Sequence, residues 1–346
     1  MASVSPAEIA HAATMLVTTA LHVREKDRFV VIGDAESHAL GAVIGEAAEK
    51  VGAQVTLARL DLLQSVSTNH SGERPHKVLP DLVRRSMLGA QASVFIASAP
   101  HQELSMREQL LHIVGACKVR HAHMPGISEH AFALGMRIDY DRLESWGRAM
   151  ERRLEMARLI EVQSPAGTEL ALTFPERSRW TAHLGQIGPG KWSTLPAGAL
   201  YAQPGSVDGV FVANASVSEF FGAKEGLLLD KPVRFVIESG KVTHVEAPRA
   251  PELQRGIQEM LKVASNSDRV SLVAVGVNVG LEGPTGEAVV DENLPGLHLV
   301  IGDAAGRTPT STFTARTSFF ACGAGGKVII DGTVALDGGK IGGGAG

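Results

Sequence analysis

Arg28-Phe29-Val30-Val31-Ile32-Gly33-Asp34 is an unbroken apolar run that stops at Gly-Asp, and together with the segment after it this run decides the fold. The spacing predicts a helix over residues 37–51, Gly52 as its cap, and a second strand, Gln54-Val55-Thr56-Leu57-Ala58. Strand, helix and strand in that order make a β-α-β unit. The first strand lacks the apolar–polar alternation of a half-exposed sheet, so it reads as a parallel strand covered on both faces.

The same texture continues on either side. Upstream, Ser5-Pro6-Ala7-Glu8 is a capping box with Pro at the first helical position. Ile9, Ala13, Leu16, Val17 and Ala20 give the next helix one apolar stripe as far as Val23. Downstream, helix 79–88, strand 92–98, helix 106–114 and a short strand 117–121 repeat the alternation, which predicts a doubly wound α/β domain. A helix over 139–159 mixes Arg142, Arg148, Arg152, Arg153 and Arg158 with Glu and reads as a solvated face.

From residue 160 short strands and Gly or Pro turns take over. Strands are expected at 169–174, 207–213, 233–238, 241–245, 270–278, 297–301, 313–320, 327–330 and 333–336, with a helix at 251–263. The expected organisation is therefore an α/β Rossmann-like domain over 1–160, a β-rich α+β domain over 161–337 and a flexible glycine-rich tail over 338–346.

Composition narrows the class. A length of 346 residues exceeds what one core usually serves, which agrees with two domains. A net charge of -4, with no basic stripe interleaved with aromatics, argues against nucleic acid as a partner. Cys117 and Cys322 both sit among apolar neighbours, as reduced, buried thiols of a cytoplasmic protein would. Glu8 and His11 interrupt the first apolar residues without a basic segment before them, so no signal peptide is expected. No run approaches the roughly 18 apolar residues of a membrane span. The turn Gly33-Asp34-Ala35-Glu36-Ser37-His38-Ala39-Leu40-Gly41 places acids where a pyrophosphate would need bare amides. It excludes NAD and P-loop nucleotides.

Histidines mark the candidate sites. The polar segment 60–77 holds His70 and His76 and reads as an exposed loop. His121 and His123 sit two apart on a strand and share a face, as a metal pair would or as satisfied polar residues at a strand end would; no third ligand stands at a suitable spacing. The densest stretch is Val289-Val290-Asp291-Glu292-Asn293-Leu294-Pro295-Gly296-Leu297-His298-Leu299-Val300-Ile301-Gly302-Asp303. It feeds a turn onto a strand with His298 on one face. A lone strand His is more often a hydrogen-bonded core group than a ligand.

An ordered series of motifs in the second half resembles the thermophilic metalloaminopeptidases, aminopeptidase T and S, and their relatives the 2,5-dihydroxypyridine dioxygenases. The series is Gly167-Thr168-Glu169-Leu170, Leu195-Pro196-Ala197-Gly198, Val207-Asp208-Gly209-Val210, Val275-Gly276-Val277-Asn278, Asp291-Glu292-Asn293 with Gly296 and His298, Gly302-Asp303, Asp331-Gly332 and Asp337-Gly338. The resemblance implies an aminopeptidase T-like fold, an aminopeptidase's metal pair or a dioxygenase's iron, and a homodimer. Position by position the ligands are missing. The resemblance places Ala199 and Leu272 where carboxylates or a His would stand, and Thr314 and Arg316 where a late-strand His-x-Asp would stand. Only His298 survives.

One His does not hold a divalent cation, and an arginine among the ligand positions opposes one. The expectation is a degenerate, metal-free member without a cofactor. It would bind a peptide or small carboxylate in a cleft between its domains and present it to a partner enzyme of a peptide-modification pathway. Arg316 would pair with the ligand's carboxylate, or else with Asp291, Glu292 or Asp303; these and Thr314 are the expected ligand-binding residues. Two alternatives stay open. One is a metal-independent hydrolase, lyase or cyclase with His298 as base, Arg316 as anion stabiliser and a hydroxyl among Ser311, Thr312, Thr314, Thr317 and Ser318. The other is an active metalloaminopeptidase with relocated ligands.

Overall fold

A computed structural model describes residues 4–63, 67–68, 76–98, 104–218, 221, 224–304, 307–308 and 311–341. The chain forms two compact units, Met1–Tyr140 with Gly185–Ala197, and Asp141–Leu184 with Gly198–Gly346. This differs from the division expected at residue 160. The helix Tyr140–Glu155 falls almost wholly in the second unit, and a later segment returns to the first.

The first unit is built on a parallel sheet in the order Trp192–Ser193, Arg120–His123, Ala92–Phe95, Arg28–Gly33, Gln54–Arg59. In chain order this is 2-1-3-4-5, the flavodoxin-like doubly wound arrangement. Helices His38–Lys50, Asp81–Met87 and Leu104–Cys117 supply the crossovers. The apolar run Arg28–Gly33 is an inner strand, between Ala92–Phe95 and Gln54–Arg59, and is buried from Phe29 to Gly33, whereas its neighbour Gln54–Arg59 is largely exposed at the sheet edge. The Ser5–Glu8 capping box is present in both directions, but the helix is regular only over Pro6–Met15 and widens into a π turn over Leu16–Ala20. The strand expected at 117–121 lies at Arg120–His123, because the preceding helix runs on through Cys117. In the segment 60–77, Ser67–Thr68 pairs with His76–Lys77; His70 lies outside the described residues.

The second unit carries two antiparallel sheets. The six-stranded sheet runs Ser216–Val217, Ser318–Cys322, Gly296–Gly302, Val270–Gly276, Ala199–Ala202, Thr181–His183. The eight-stranded sheet runs Lys241–Glu246, Val233–Glu238, Ser206–Ala213, Glu169–Thr173, Leu159–Gln163, Lys327–Ile330, Thr333–Asp337, Lys340–Ile341. Burial tells the two apart. Glu169–Thr173 alternates between exposed and buried, so one face meets solvent. Val270–Gly276 and Gly296–Gly302 are buried at every residue, so their sheet is covered on both faces. The expected flexible tail begins as structure: Gly338 and Gly339 turn the chain into Lys340–Ile341, which pairs with the preceding strand.

Two motif glycines hold the six-stranded sheet in shape. A side chain on Gly276 would collide with the Leu294 carbonyl oxygen, so its absence lets the Asn293-Leu294 turn pack on the strand. Gly198 has φ +129° and lies against Asn278, whose side chain would be 2.6 Å from an added Cβ.

Candidate functional site

Pairing register brings the sequence-predicted positions of the second unit onto one face. Ala199 pairs with Gly276, Ala274 with His298, and Leu272 with Val300, which pairs in turn with Phe320. Cross-strand partners point the same way, and so do residues two apart on a strand. Ala199, Leu272 and His298 therefore share a face with Tyr201, Ala274, Phe320 and Cys322. Apart from His298, these residues form one buried cluster.

His298 is fully buried, and both ring nitrogens are in use. Nε2 lies 2.8 Å from the Leu294 carbonyl, which can only accept, so Nε2 carries the proton. Nδ1 accepts the Gly323 N–H at 3.3 Å. Burial lowers the pKa to about 4, against the Leu294 hydrogen bond that raises it, so the ring is neutral at pH 7. Its function in this arrangement is to tie the Pro295-Gly296 turn to the strand end at Gly323.

The acids beside it are committed too. Asp291 is fully buried and accepts the Thr285 N–H at 2.7 Å, the Thr285 hydroxyl at 2.8 Å and the Gly286 N–H at 3.0 Å. Burial raises its pKa despite these bonds. Glu292, also fully buried, faces Arg307 with Nε 3.5 Å from Oε2. Asp303 is half-buried and accepts the Ala315 N–H at 3.0 Å, while its own N–H donates to the Thr317 carbonyl at 2.6 Å. It organises the loop after it.

That loop corrects the sequence reading. The strand expected at 313–320 starts only at Ser318. Thr314 and Arg316 thus lie on a loop, and both are exposed. Arg316 makes no ion pair with Asp291, Glu292 or Asp303, and it does not share the buried face with His298. The buried cation is Arg307, 6% exposed, with its guanidinium carbon 4.6 Å from the centre of the Phe320 ring. Sequence reasoning missed it because Arg307 sits in a Gly- and Pro-flanked segment without periodicity. It also missed His183, packed edge-on against Tyr201 at 5.0 Å. Burial first, and the Arg307 charge second, lower the His183 pKa to about 3. Cys322 is fully buried, and burial together with Asp291 and Glu292 raises its thiol pKa well above normal, which makes it inert. Cys117, expected to be buried as well, is only partly so. Of the late hydroxyls, Ser311 donates to the Phe313 carbonyl and Ser318 to the Asp303 carbonyl, Thr312 accepts from Gln203, and Thr317 Oγ1 is buried without a hydrogen-bond partner among the described residues.

In the first unit His121 and His123 do share a face, inside a closed hydrogen-bond chain. Arg107 Nε lies 2.8 Å from His123 Nε2, His123 Nδ1 lies 3.1 Å from His121 Nε2, and His121 Nδ1 lies 2.8 Å from Ser93 Oγ. Arg only donates, so both rings must carry their proton on Nδ1. Burial, aided by the Arg107 charge, lowers the His121 pKa to about 3. At the end of the central strands Asp34 accepts the Ser98 N–H at 2.6 Å and the Ser37 N–H at 3.0 Å, so its carboxylate takes amides that a phosphate would use.

A metal is what the resemblance implies for the second unit, and the donor set does not fit one. Two positions carry no donor, His298 has no free nitrogen, Asp291 is saturated by donors, and a guanidinium faces Glu292. Among the described residues no group of three or more His, Cys, Asp or Glu is placed to share a cation.

The architecture is a doubly wound parallel-sheet unit and a unit of two antiparallel sheets. The family model of 2,5-dihydroxypyridine 5,6-dioxygenase (NicX) matches residues 13–257, and the chain belongs to that family. The match ends before Asp291, Glu292, His298 and Arg307. Two solved structures share the fold. The 2,5-dihydroxypyridine dioxygenase of Pseudomonas putida KT2440 is 16% identical with a TM-score of 0.68, covering 98% of each chain. Wild-type AmpT from Thermus thermophilus is 14% identical with a TM-score of 0.64, covering 97% of this chain and 99% of its own. No curated protein sequence matches significantly. No helix among the described residues is long and apolar enough to cross a membrane.

Proposed function

We propose that this chain is a member of the family that binds a carboxylate-bearing ligand, a short peptide or a small acid, without a metal. One observation carries the reading. A buried Glu292–Arg307 pair stands against the sheet face that the resemblance assigns to metal ligands. A divalent cation there would need three or more free donors and would meet a permanent positive charge. The geometry also weighs against His298 as a general base: both nitrogens are held by backbone groups, and the ring takes a proton only near pH 4.

Elemental analysis tests the proposal. The protein is incubated with Zn, Co, Mn and Fe(II), desalted and measured. Substoichiometric metal, with calorimetric binding of peptides or small carboxylates in EDTA, is expected. Stoichiometric metal, or binding that disappears in EDTA, overturns it.

A further inference from the structure

Residues 175–179, 203–207, 239–240, 269–270 and 312–313 of the second unit enclose a groove of about 550 Å³, within the range of small-molecule sites. Its charge is one-sided. Arg177, Arg179 and Arg269 line it, and none has an ion pair among the described residues. The one acid on its wall among the described residues, Glu176, is already held by Arg158 at 2.8 Å. The neighbouring carboxylate, Asp208, accepts from the Ser206 hydroxyl at 2.5 Å and the Ser239 N–H at 2.6 Å.

The wall is also fixed and partly apolar. Gln203 and Thr312 bond each other twice, Nε2 to Oγ1 at 2.7 Å and N–H to Oε1 at 2.9 Å, which locks the late loop to the end of strand Ala199–Ala202. Phe313 stands beside this lock with the Arg269 guanidinium 5.7 Å from its ring centre. Stacking of this kind holds a guanidinium plane while leaving its N–H edge free to donate. Arg177 has φ +56°, a conformation that glycine or asparagine adopts more readily.

We propose that this groove binds a small organic dicarboxylate. One guanidinium satisfies one carboxylate in a bidentate pair, so three of them around one cavity call for more than one anionic group. Phe313, Pro175 and Pro204 offer a surface to a carbon skeleton, which inorganic phosphate does not have. A short peptide ending in Glu and a free aromatic diacid are two sources of the same chemistry. The inference deepens the binding reading by giving it a site, but the charge argument stands whatever the buried centre holds.

The test is isothermal titration of the full-length protein in EDTA at low salt, with isophthalate, the dipeptide Ala-Glu and inorganic phosphate as separate probes. One-to-one binding of isophthalate or Ala-Glu is expected, and the tighter of the two identifies the source. Arg269→Met and the double variant Arg177→Ala/Arg179→Ala should each weaken binding at least about tenfold, and salt should weaken it further. Arg85→Ala, on the first unit, should change nothing. Arg177 and Arg179 are exposed, so their double variant keeps the fold and the test stands even if Arg269→Met does not. Failure of both diacids to bind, equal binding of phosphate, or indifference to the arginine variants overturns the proposal. Metal found by elemental analysis sinks the metal-free reading alone, since the groove titration is run in EDTA.

Discussion

Replacing Arg307 by Met should destabilise the protein by about 3–5 kcal/mol, as expected when one partner of a buried ion pair is removed. The structure supports the upper part of that range. Glu292 is fully buried and Arg307 is 6% exposed, and they meet at 3.5 Å. At an effective dielectric near 20 their attraction is about 5 kcal/mol, which then no longer offsets the cost of keeping the carboxylate from water. The Arg307 stack on Phe320 is lost as well, although the methionine refills part of that volume. Glu292→Gln/Arg307→Met removes both charges and should recover most of the loss, to within about 1–2 kcal/mol of the parent. Urea unfolding monitored by tryptophan fluorescence reads this out, because Trp146 and Trp180 both lie in the second unit. A cost below about 1 kcal/mol for Arg307→Met, or a double variant no more stable than the single one, would refute a buried, mutually dependent pair.

The buried histidines give three further expected outcomes. His298→Leu leaves the Leu294 carbonyl and the Gly323 N–H without their partner, and should cost about 2–4 kcal/mol by urea unfolding with metal content unchanged; full stability would show that the ring ties nothing together. His121 and His183 have folded pKa values of about 3 and His298 of about 4, all below the unfolded value near 6.5, so the unfolded chain binds more protons between those limits. Stability is therefore full above about pH 6.5 and falls as the pH drops, by about 1.4 kcal/mol per unit for each ring. The second unit, with two of the rings, should fail first, partly countered by Asp291, whose raised pKa acts in the opposite sense; a Tm that is flat or rises from pH 7 to pH 5 would contradict this. Nitrogen-15 spectra should show His121 and His123 as Nδ1–H tautomers, and an Nε2–H signal for either would break the chain inferred from Arg107.

Local pattern was enough to read the layers from the amino-acid order. The apolar run 29–32 and the regular helix–strand spacing after it identify a buried parallel sheet, since only a strand covered on both faces is apolar throughout. Gly-rich turns and short strands after residue 160 identify the antiparallel half. The capping box at Ser5 and the strand carrying His298 were legible for the same reason: each is a local pattern. Long-range packing settled the rest. Strands Trp192–Ser193 and Thr181–His183 are too short to show a period, and only pairing with a distant neighbour makes them strands. Which arginine is buried was likewise not local. The family resemblance placed Arg316 on an expected late strand that begins only two residues after it, while Arg307 is buried because Glu292 and Phe320, far apart in sequence, converge on it. The groove of Arg177, Arg179 and Arg269 has the same origin: Arg177 and Arg179 share one loop, Arg269 stands 90 residues further on just before strand Val270–Gly276, and only the fold brings their charges together.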